Sequence, residues 1–486
     1  MRTYIIKRLL IMVPTFFGIS LIVFAVLNFA PGKPGAGKQS AELASDIRSE
    51  GTQESYRIFQ EQFSLDKPVL LNTLPLTLDQ QQVHEALRTM AGEAEASAGD
   101  RIRAQEELEA FGTYAVPHLI EIVRETDASG EHRVRDIAVY LLRLNARRRL
   151  VDPFRPHPTA EQRALNQQLE AENAEIRERR YALEDPEEKK QRVIESWYAW
   201  FDDNRSRWDF DGFDKLRIML LETRFATYWK NLLRLDFGVS LVSREPVVST
   251  LVSKLRYSIS LSITSLLLAY LIAIPIGIYS AVAKDSFADR SLTVVLFMLY
   301  SLPAFFVAAL LLFFLSVGSD YPALRIFPTG GWRSRDYMQL TSVEQIRDLA
   351  AHLVLPILCL TYGSLAALSR YMRTGLLDVI RSDYVRTARA KGLPEWKVIG
   401  KHAVRNGLLP ILTLLAGLLP AVLGGSVIIE YIFDIPGMGL WMIDSIYQRD
   451  YNVIMAVQLL SAVLVLLGIL LADLSYALVD PRIRYE

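Results

Sequence analysis

Long uncharged stretches before about residue 32 and after about residue 255 leave this chain few ways to fold. Inside a bilayer every backbone N–H and C=O must be paired within the protein, so a crossing segment is a helix or part of a closed barrel. A crossing helix needs ~20 mostly apolar residues. The runs Leu9–Ala30, Ser258–Ala283, Leu292–Val317, Leu353–Arg370, Leu409–Ile429 and Val453–Leu478 come close to that length and predict six transmembrane helices. The first run is longer than the ~7–15-residue apolar core of a signal peptide, and no small-x-small cleavage site follows it, so it reads as an uncleaved span. Arg2, Lys7 and Arg8 precede it. Those charges, Lys284 with Arg290, the basic stretch around Arg386, and Arg482 with Arg484 all fall on one side, which becomes the cytoplasm. Pro275, Pro303, Pro356 and Pro420 lie within the runs. Each frees a backbone carbonyl, which suits either a pathway that opens and closes or the ordinary tolerance of spans for proline.

Between the first and second runs the chain changes character. Its middle is charged and carries an acidic surplus that an equal basic surplus elsewhere offsets, so the net charge is zero although hydrophobic residues make up 51%. That balance argues against nucleic acid as a partner. Glu107–Arg124 and Arg133–Leu144 show apolar residues at three and four spacing, and Ala115-Val116-Pro117 opens a helix. Together they resemble one HEAT-type hairpin, which cannot bury both faces alone. Val83–Met90, and Val193–Phe201 with Trp197, Trp200 and Trp208, are the expected neighbours. Glu161–Lys190 is charged and reads as an exposed helix or a mobile strap. The region is either a spacer or a docking surface for a partner outside the membrane, placed there by the parity of crossings.

Apparent chemical motifs in the chain fail on inspection. Gly32–Lys38 (GKPGAGK) approaches a phosphate-binding loop, but Gln39 stands where a Ser or Thr must hold magnesium, and a span precedes it in place of a strand. Asp202, Asp203, Asp209, Asp211 and Asp214 lack the alternate ligand spacing and terminal Glu of a calcium loop, and they read as a solvated turn. His118 and His132 read as surface or packing residues. The single cysteine, Cys359, excludes an intrachain disulfide or thiolate cluster. No metal or other cofactor is expected, and no catalytic constellation is present.

The stretch Arg381–Pro410 is basic and lies between two expected spans. Ser382–Lys391 reads as a helix with Tyr384, Ala388 and Lys391 roughly on one face; Gly392 and Pro394 stop it. A second helix, Glu395–Asn406, would put Trp396, Ile399 and Ala403 on one face and Lys397, Lys401 and Arg405 around the other. The residues Arg386-Thr387-Ala388, then Gly392, then Leu409-Pro410 resemble the cytoplasmic loop of ABC-transporter permeases. That pattern is Glu-Ala-Ala, three residues, Gly, and a later Leu-Pro; Arg386 and Thr387 depart from it. DYVRTARAKGL is similar to the dipeptide, oligopeptide and nickel importer branch. So are Tyr56–Asn72, Arg224–Leu241, Glu430–Gly439, Tyr447–Leu460 and Ala472–Tyr485, the last of which contains Asp473.

The resemblance implies an all-α membrane protein of six spans with a helical insertion, in a bacterial inner membrane. Its expected parts are the amino terminus and first span (1–32), family segments (33–72 and 223–257), the extracytoplasmic insertion (73–222) and a permease domain (258–486) with a coupling loop (371–408). It further implies a second homologous permease, two cytoplasmic ATPases, an extracytoplasmic binding protein and no enzymatic activity in this chain. Asp383, Tyr384, Arg386, Thr387, Ala388, Lys391, Gly392 and Leu393 are the expected coupling positions. Peptide is the cargo class by family weight; nickel, glutathione-like and peptide-antibiotic cargoes stay open. Two other classes compete: a membrane-anchored scaffold whose insertion recruits partners, and a secondary transporter. The latter would need mid-bilayer charges or an inverted repeat, and neither is seen apart from Asp473, which lies off-centre near the cytoplasmic end of the last span.

Overall fold

Proline and glycine placement explains where many of the helices begin and end. The computed structural model describes residues 2–29, 64–92, 96–151, 159–316, 325–408, 411 and 427–479. The chain divides into two units, one made of Met1–Ala41 with Asp236–Glu486 and the other of Glu42–Leu235. Helix α1, Arg2–Phe29, belongs to the first and runs through Pro14 without a break.

The second unit is helical: α2 (Leu74–Thr77), α3 (Gln80–Ala91), α4 (Ala98–Phe111), α5 (Val116–Ser129), α6 (His132–Asn145), α7 (Ala160–Glu178), α8 (Glu187–Asn204), α9 (Gly212–Leu221) and α10 (Arg224–Leu232). Glu107–Arg124 is divided between two helices, because Gly112 at φ +53° ends α4 and a 3₁₀ turn, Gly112–Ala115, leads to Pro117 in the first turn of α5. Both expected neighbours pack on the α5–α6 hairpin: Val83, Ala86 and Leu87 from α3, and Ile194, Trp197, Trp200 and Phe201 from α8, share its core. Trp197 is fully buried and meets Trp200 edge-on at 5.4 Å. Within the charged stretch Glu161–Lys190, α7 is a mostly exposed helix with Leu169, Asn173 and Ile176 buried, and Lys190 falls in α8. Asp211 caps α9, accepting from the Asp214 amide at 2.6 Å.

The two edges of this unit lie side by side. The Arg224 and Phe225 amides donate to the Pro68 and Val69 carbonyls at 2.9 and 3.2 Å, and the Asn72 amide donates to Met219 at 3.0 Å. The Arg224 guanidinium reaches the carbonyls of Lys67 and Leu65, and Tyr114 donates to Glu222 at 2.8 Å. The chain thus leaves for about 150 residues and returns to the point it left, the geometry that makes insertion of a domain cheap.

Charge is expected to make this unit weaken in acid. Arg88 holds the Glu131 carboxyl below its usual range, Lys189 does the same for Asp185, and Ser97 does so for Asp100. Each binds its proton less readily folded than unfolded. Their contribution is therefore full above the ordinary carboxylate range and is lost as the pH falls through the lowered values. Hydrogen exchange of the α6 peptide in the full chain, corrected for intrinsic rates, is expected to quicken between roughly pH 5 and pH 3. Unchanged protection across that range would refute the assignment.

The first unit continues with α11 (Val247–Val282), α12 (Phe287–Ser301), α13 (Ala304–Leu315), α14 (Ser342–Ile380), α15 (Asp383–Ala390), a second short segment α16 (395–407), α17 (Val427–Ile432), α18 (Met438–Gln448) and α19 (Tyr451–Val479). By length and composition α1, α11, α14 and α19 can each cross a membrane, and α12 with α13 makes a fifth candidate bent by 94°. The described residues of the expected span Leu292–Val317 therefore form two helices that meet at a bend. Pro303 has no N–H to continue the helix and steers Leu302 into an extended conformation, with ψ 126° at Leu302 and 138° at Pro303. The Leu302 carbonyl so freed accepts from the Tyr362 hydroxyl at 2.9 Å. Pro275 and Pro356, by contrast, lie inside unbroken helices. Most of the expected span Leu409–Ile429, with Pro420, lies outside the described residues, as do Gly32–Lys38, Leu409-Pro410 and the Asp473 side chain.

Helix α11 packs along α14, and Gly277 sets how near they come: a Cβ there would lie 2.5 Å from Met372 Cβ and 2.7 Å from the Ser369 carbonyl. Elsewhere in the unit, Leu261, Ala308, Leu355, Cys359, Ile429, Phe433 and Ile435 join α11, α13, α14 and α17. The run Glu430–Gly439 has a local physical reason. The buried Glu430 carboxylate accepts from the Gly439 and Leu440 amides at 2.6 and 3.3 Å, capping α18, and a Cβ at Gly437 would strike it at 2.4 Å.

Candidate functional site

The site is the helix–turn–helix of α15 and α16. Helix α15 starts after Ser382, with Asp383 in its first turn favoured by the helix dipole. Gly392 at φ +76° lets the chain leave the helix in a left-handed conformation that costs other L-residues roughly 1–2 kcal/mol. Pro394 then opens α16, its carbonyl accepting from the Lys397 and Val398 amides at 2.9 and 3.1 Å. Two contacts hold the turn closed. Arg389 grips Glu395 through two hydrogen bonds, 3.2 and 2.7 Å, and keeps that carboxyl below its usual range. Asn406 donates to the Tyr384 hydroxyl at 2.7 Å, tying the far end of α16 back to α15.

The buried faces differ from those read off the sequence. In α15 the inward residues are Val385 and Ala388; Lys391 is exposed and Tyr384 is 43% exposed. In α16 a π-helical stretch, Val398–Ala403, replaces regular α-helix. Its wider turn puts Val398 and Ala403, five apart, on the buried side, and Ile399 is half-buried. Trp396, expected on the apolar face, points outward at 72% exposure with the Lys397 ammonium over its ring. A period-3.6 reading fails here because the helix does not have that period.

Val385, Ala388, Val398 and Ala403 pack together against Ala281 of α11 and Met372 and Leu376 of α14. Gly407 allows the close approach, since a Cβ there would meet Leu376 Cα at 3.2 Å. The helix–turn–helix is thus seated on one end of the two long helices. Of the expected positions, Asp383, Tyr384, Arg386, Thr387, Lys391, Gly392 and Leu393 are on the exposed side and Ala388 is on the seated side. Arg386 pairs with Asp383 at 3.2 Å, and the Thr387 hydroxyl donates to the Asp383 carbonyl at 2.9 Å. Sequence reasoning missed Val385 and Val398, although the three-residue step from Val385 to Ala388 was a usable signal. The outward surface mixes Tyr384, Leu393 and Trp396 with Arg386, Lys391, Lys401 and Arg405. Its aromatic and arginine side chains are of the types enriched at protein contacts.

The family described as binding-protein-dependent transport system inner membrane component matches residues 273–485. The chain is 41% identical over 270 residues to the oligopeptide transport system permease protein AppB of Bacillus subtilis, covering 55% of this chain and 82% of that one. It is 34% identical over 262 residues to the dipeptide transport system permease protein DppB of Bacillus subtilis, covering 54% and 79%. Against DppB of Escherichia coli the identity is 34% over 262 residues, covering 52% and 77%. Close to half of this chain stands outside each of these matches.

Proposed function

The chain belongs to the family of binding-protein-dependent transport system inner membrane components, and on that premise we propose that it forms half of an ATP-driven import pathway for peptides or related small solutes. A second, homologous permease supplies the other half, two cytoplasmic ATPases bind the α15–α16 surface, and an extracytoplasmic binding protein delivers the cargo. The observation that carries this reading is the exposed helix–turn–helix seated by its buried face on α11 and α14. A push on α15 reaches Met372 and Leu376 through packed side chains, so closure of an ATPase dimer has a rigid route to the long helices. Binding energy that differs between the two closure states shifts the spans between outward-open and inward-open arrangements. The resemblance to peptide permeases supports the cargo class. The six-span count, the HEAT-like character of residues 73–222 and their extracytoplasmic side belong to the same proposal.

Purification of the tagged chain in mild detergent, followed by mass spectrometry, is expected to recover a second permease and ATPase subunits. Gly392→Asp is expected to lose the ATPases and transport while inserting normally. A Cβ at Gly392 faces open space, so the effect would come from the docking surface and from strain in the left-handed turn rather than from crowding. Trp396→Ala should weaken the same association, as aromatic anchors at interface centres often contribute more than about 2 kcal/mol. A chain that arrives alone, or with soluble partners held by residues 73–222, would favour a membrane-anchored scaffold.

A further inference from the structure

One turn away from the seat of α15 lies a carboxylate that the coupling route above does not use. Asp289, in the first turn of α12, is 2% exposed. Arg373 of α14 grips it with a two-pronged contact, Nε to Oδ1 at 3.1 Å and Nη2 to Oδ2 at 2.8 Å. Ser280 of α11 donates its hydroxyl to Oδ1, and the Asp285 amide donates to Oδ2 at 3.0 Å. The carboxylate is therefore held from two helices and from the loop that joins α11 to α12. The residues beside the gripping groups matter as much. Ser280 precedes Ala281 and Arg373 follows Met372, and Ala281 and Met372 are the residues against which Val385, Ala388, Val398 and Ala403 pack. The turns of α11 and α14 that carry the helix–turn–helix are the turns that reach Asp289.

We propose that Asp289 and Arg373 are positioning residues that make α12 move with the coupling helix α15. The inference rests on the transporter reading above. Helix α15 is tied to α14 by the short connection through Arg381 and Ser382, and to both α11 and α14 by packing. Helix α12 has mostly exposed apolar side chains, among them Val294, Val295, Phe297 and Met298, and Asp289 is its buried residue. A bidentate, hydrogen-bonded ion pair is directional in a way that apolar packing is not. It passes rotation as well as displacement to α12, and through the 94° bend at Leu302–Pro303 to α13.

The test uses the complex purified with its partner subunits, in a Cys359→Ala background, with spin labels at Phe297→Cys on α12 and Val465→Cys on α19. Both sites are exposed, and α19 lies outside the Asp289 cluster. In the parent, ATP with vanadate is expected to shift the distance between the labels. In Arg373→Met the shift should disappear while ATP hydrolysis stays within about twofold. Arg373→Lys keeps the charge without the fork and should retain part of the shift. An undiminished shift in Arg373→Met, or equal loss in the Met and Lys variants, would overturn the positioning role. No shift in the parent, or no ATPase in the complex, would instead overturn the transporter reading itself.

Discussion

Arg135→Ala is expected to unfold the unit that holds α5 to α8 at temperatures where the parent is stable. The Arg135 side chain is 2% exposed and lies among three carboxylates, 3.2 Å from Asp127, 3.5 Å from Asp136 and 3.1 Å from Glu187. Lys190 also approaches Asp136 and Glu187, at 4.0 and 3.3 Å, and Tyr181 donates to Asp136 at 2.8 Å. With Arg135 gone, the Lys190 ammonium is left with Asp136 and Glu187, and Asp127 on α5 loses its guanidinium. Breaking a buried pair by removing one partner typically costs about 3–5 kcal/mol, and with only Asp136 of the three carboxylates nearly buried the expected cost lies at the lower end. That is a large part of the ~5–15 kcal/mol by which a domain is stable. Arg135→Lys keeps the charge but loses the fork, and should fall between. The measurement is hydrogen exchange of the α5, α6 and α8 peptides in the full chain. Equal protection in parent and Ala variant would show that the network contributes little. Peptides of α11 and α14 serve as the internal control.

Gly277→Val is expected to have an effect of similar size in the other unit. Helices in a bilayer gain little from burying apolar surface against each other, so their association depends on close approach at small residues. At Gly277 the approach leaves no room: the added Cβ would stand 2.5 Å from Met372 Cβ and 2.7 Å from a backbone carbonyl of α14. A flexible side chain could swing aside, but the Ser369 carbonyl cannot move without its helix. Overpacking commonly costs about 1–3 kcal/mol, and a backbone clash lies at or beyond the upper end. Gly363→Val is the matched control. It lies within α14, and a Cβ there meets nothing within 4 Å. The control should leave the apparent melting temperature in detergent within a degree or two of the parent, whereas Gly277→Val should lose its folded peak in size-exclusion chromatography after mild heating. A Gly277→Val protein as stable as the control would mean that the α11–α14 seam is looser than these distances require.

What could be read directly was whatever depends on local composition. Apolar length predicted where α1, α11, α14 and α19 run, because a bilayer-crossing helix must satisfy its own backbone. Gly392 and Pro394 marked the turn between α15 and α16, because no neighbour is needed to stop a helix at those residues. The family was legible for the same reason, through short runs whose spacing survives around the intervening 150 residues. Tertiary structure decided the rest. The α15 face that is buried, Val385 with Ala388 and not Tyr384, depends on where α11 and α14 stand. The π-helical stretch Val398–Ala403 reverses the expected exposure of Trp396, and a periodicity argument cannot detect a change in its own period. Pro303 bends α12 against α13 by 94° while Pro275 and Pro356 leave their helices unbroken. Asp289 and Arg373 stand 84 positions apart in the chain, and nothing local to either names the other. Spacing along one helix is a local quantity set by covalent geometry. Which face meets a neighbour, and which distant charge completes a pair, are set only when the helices are assembled.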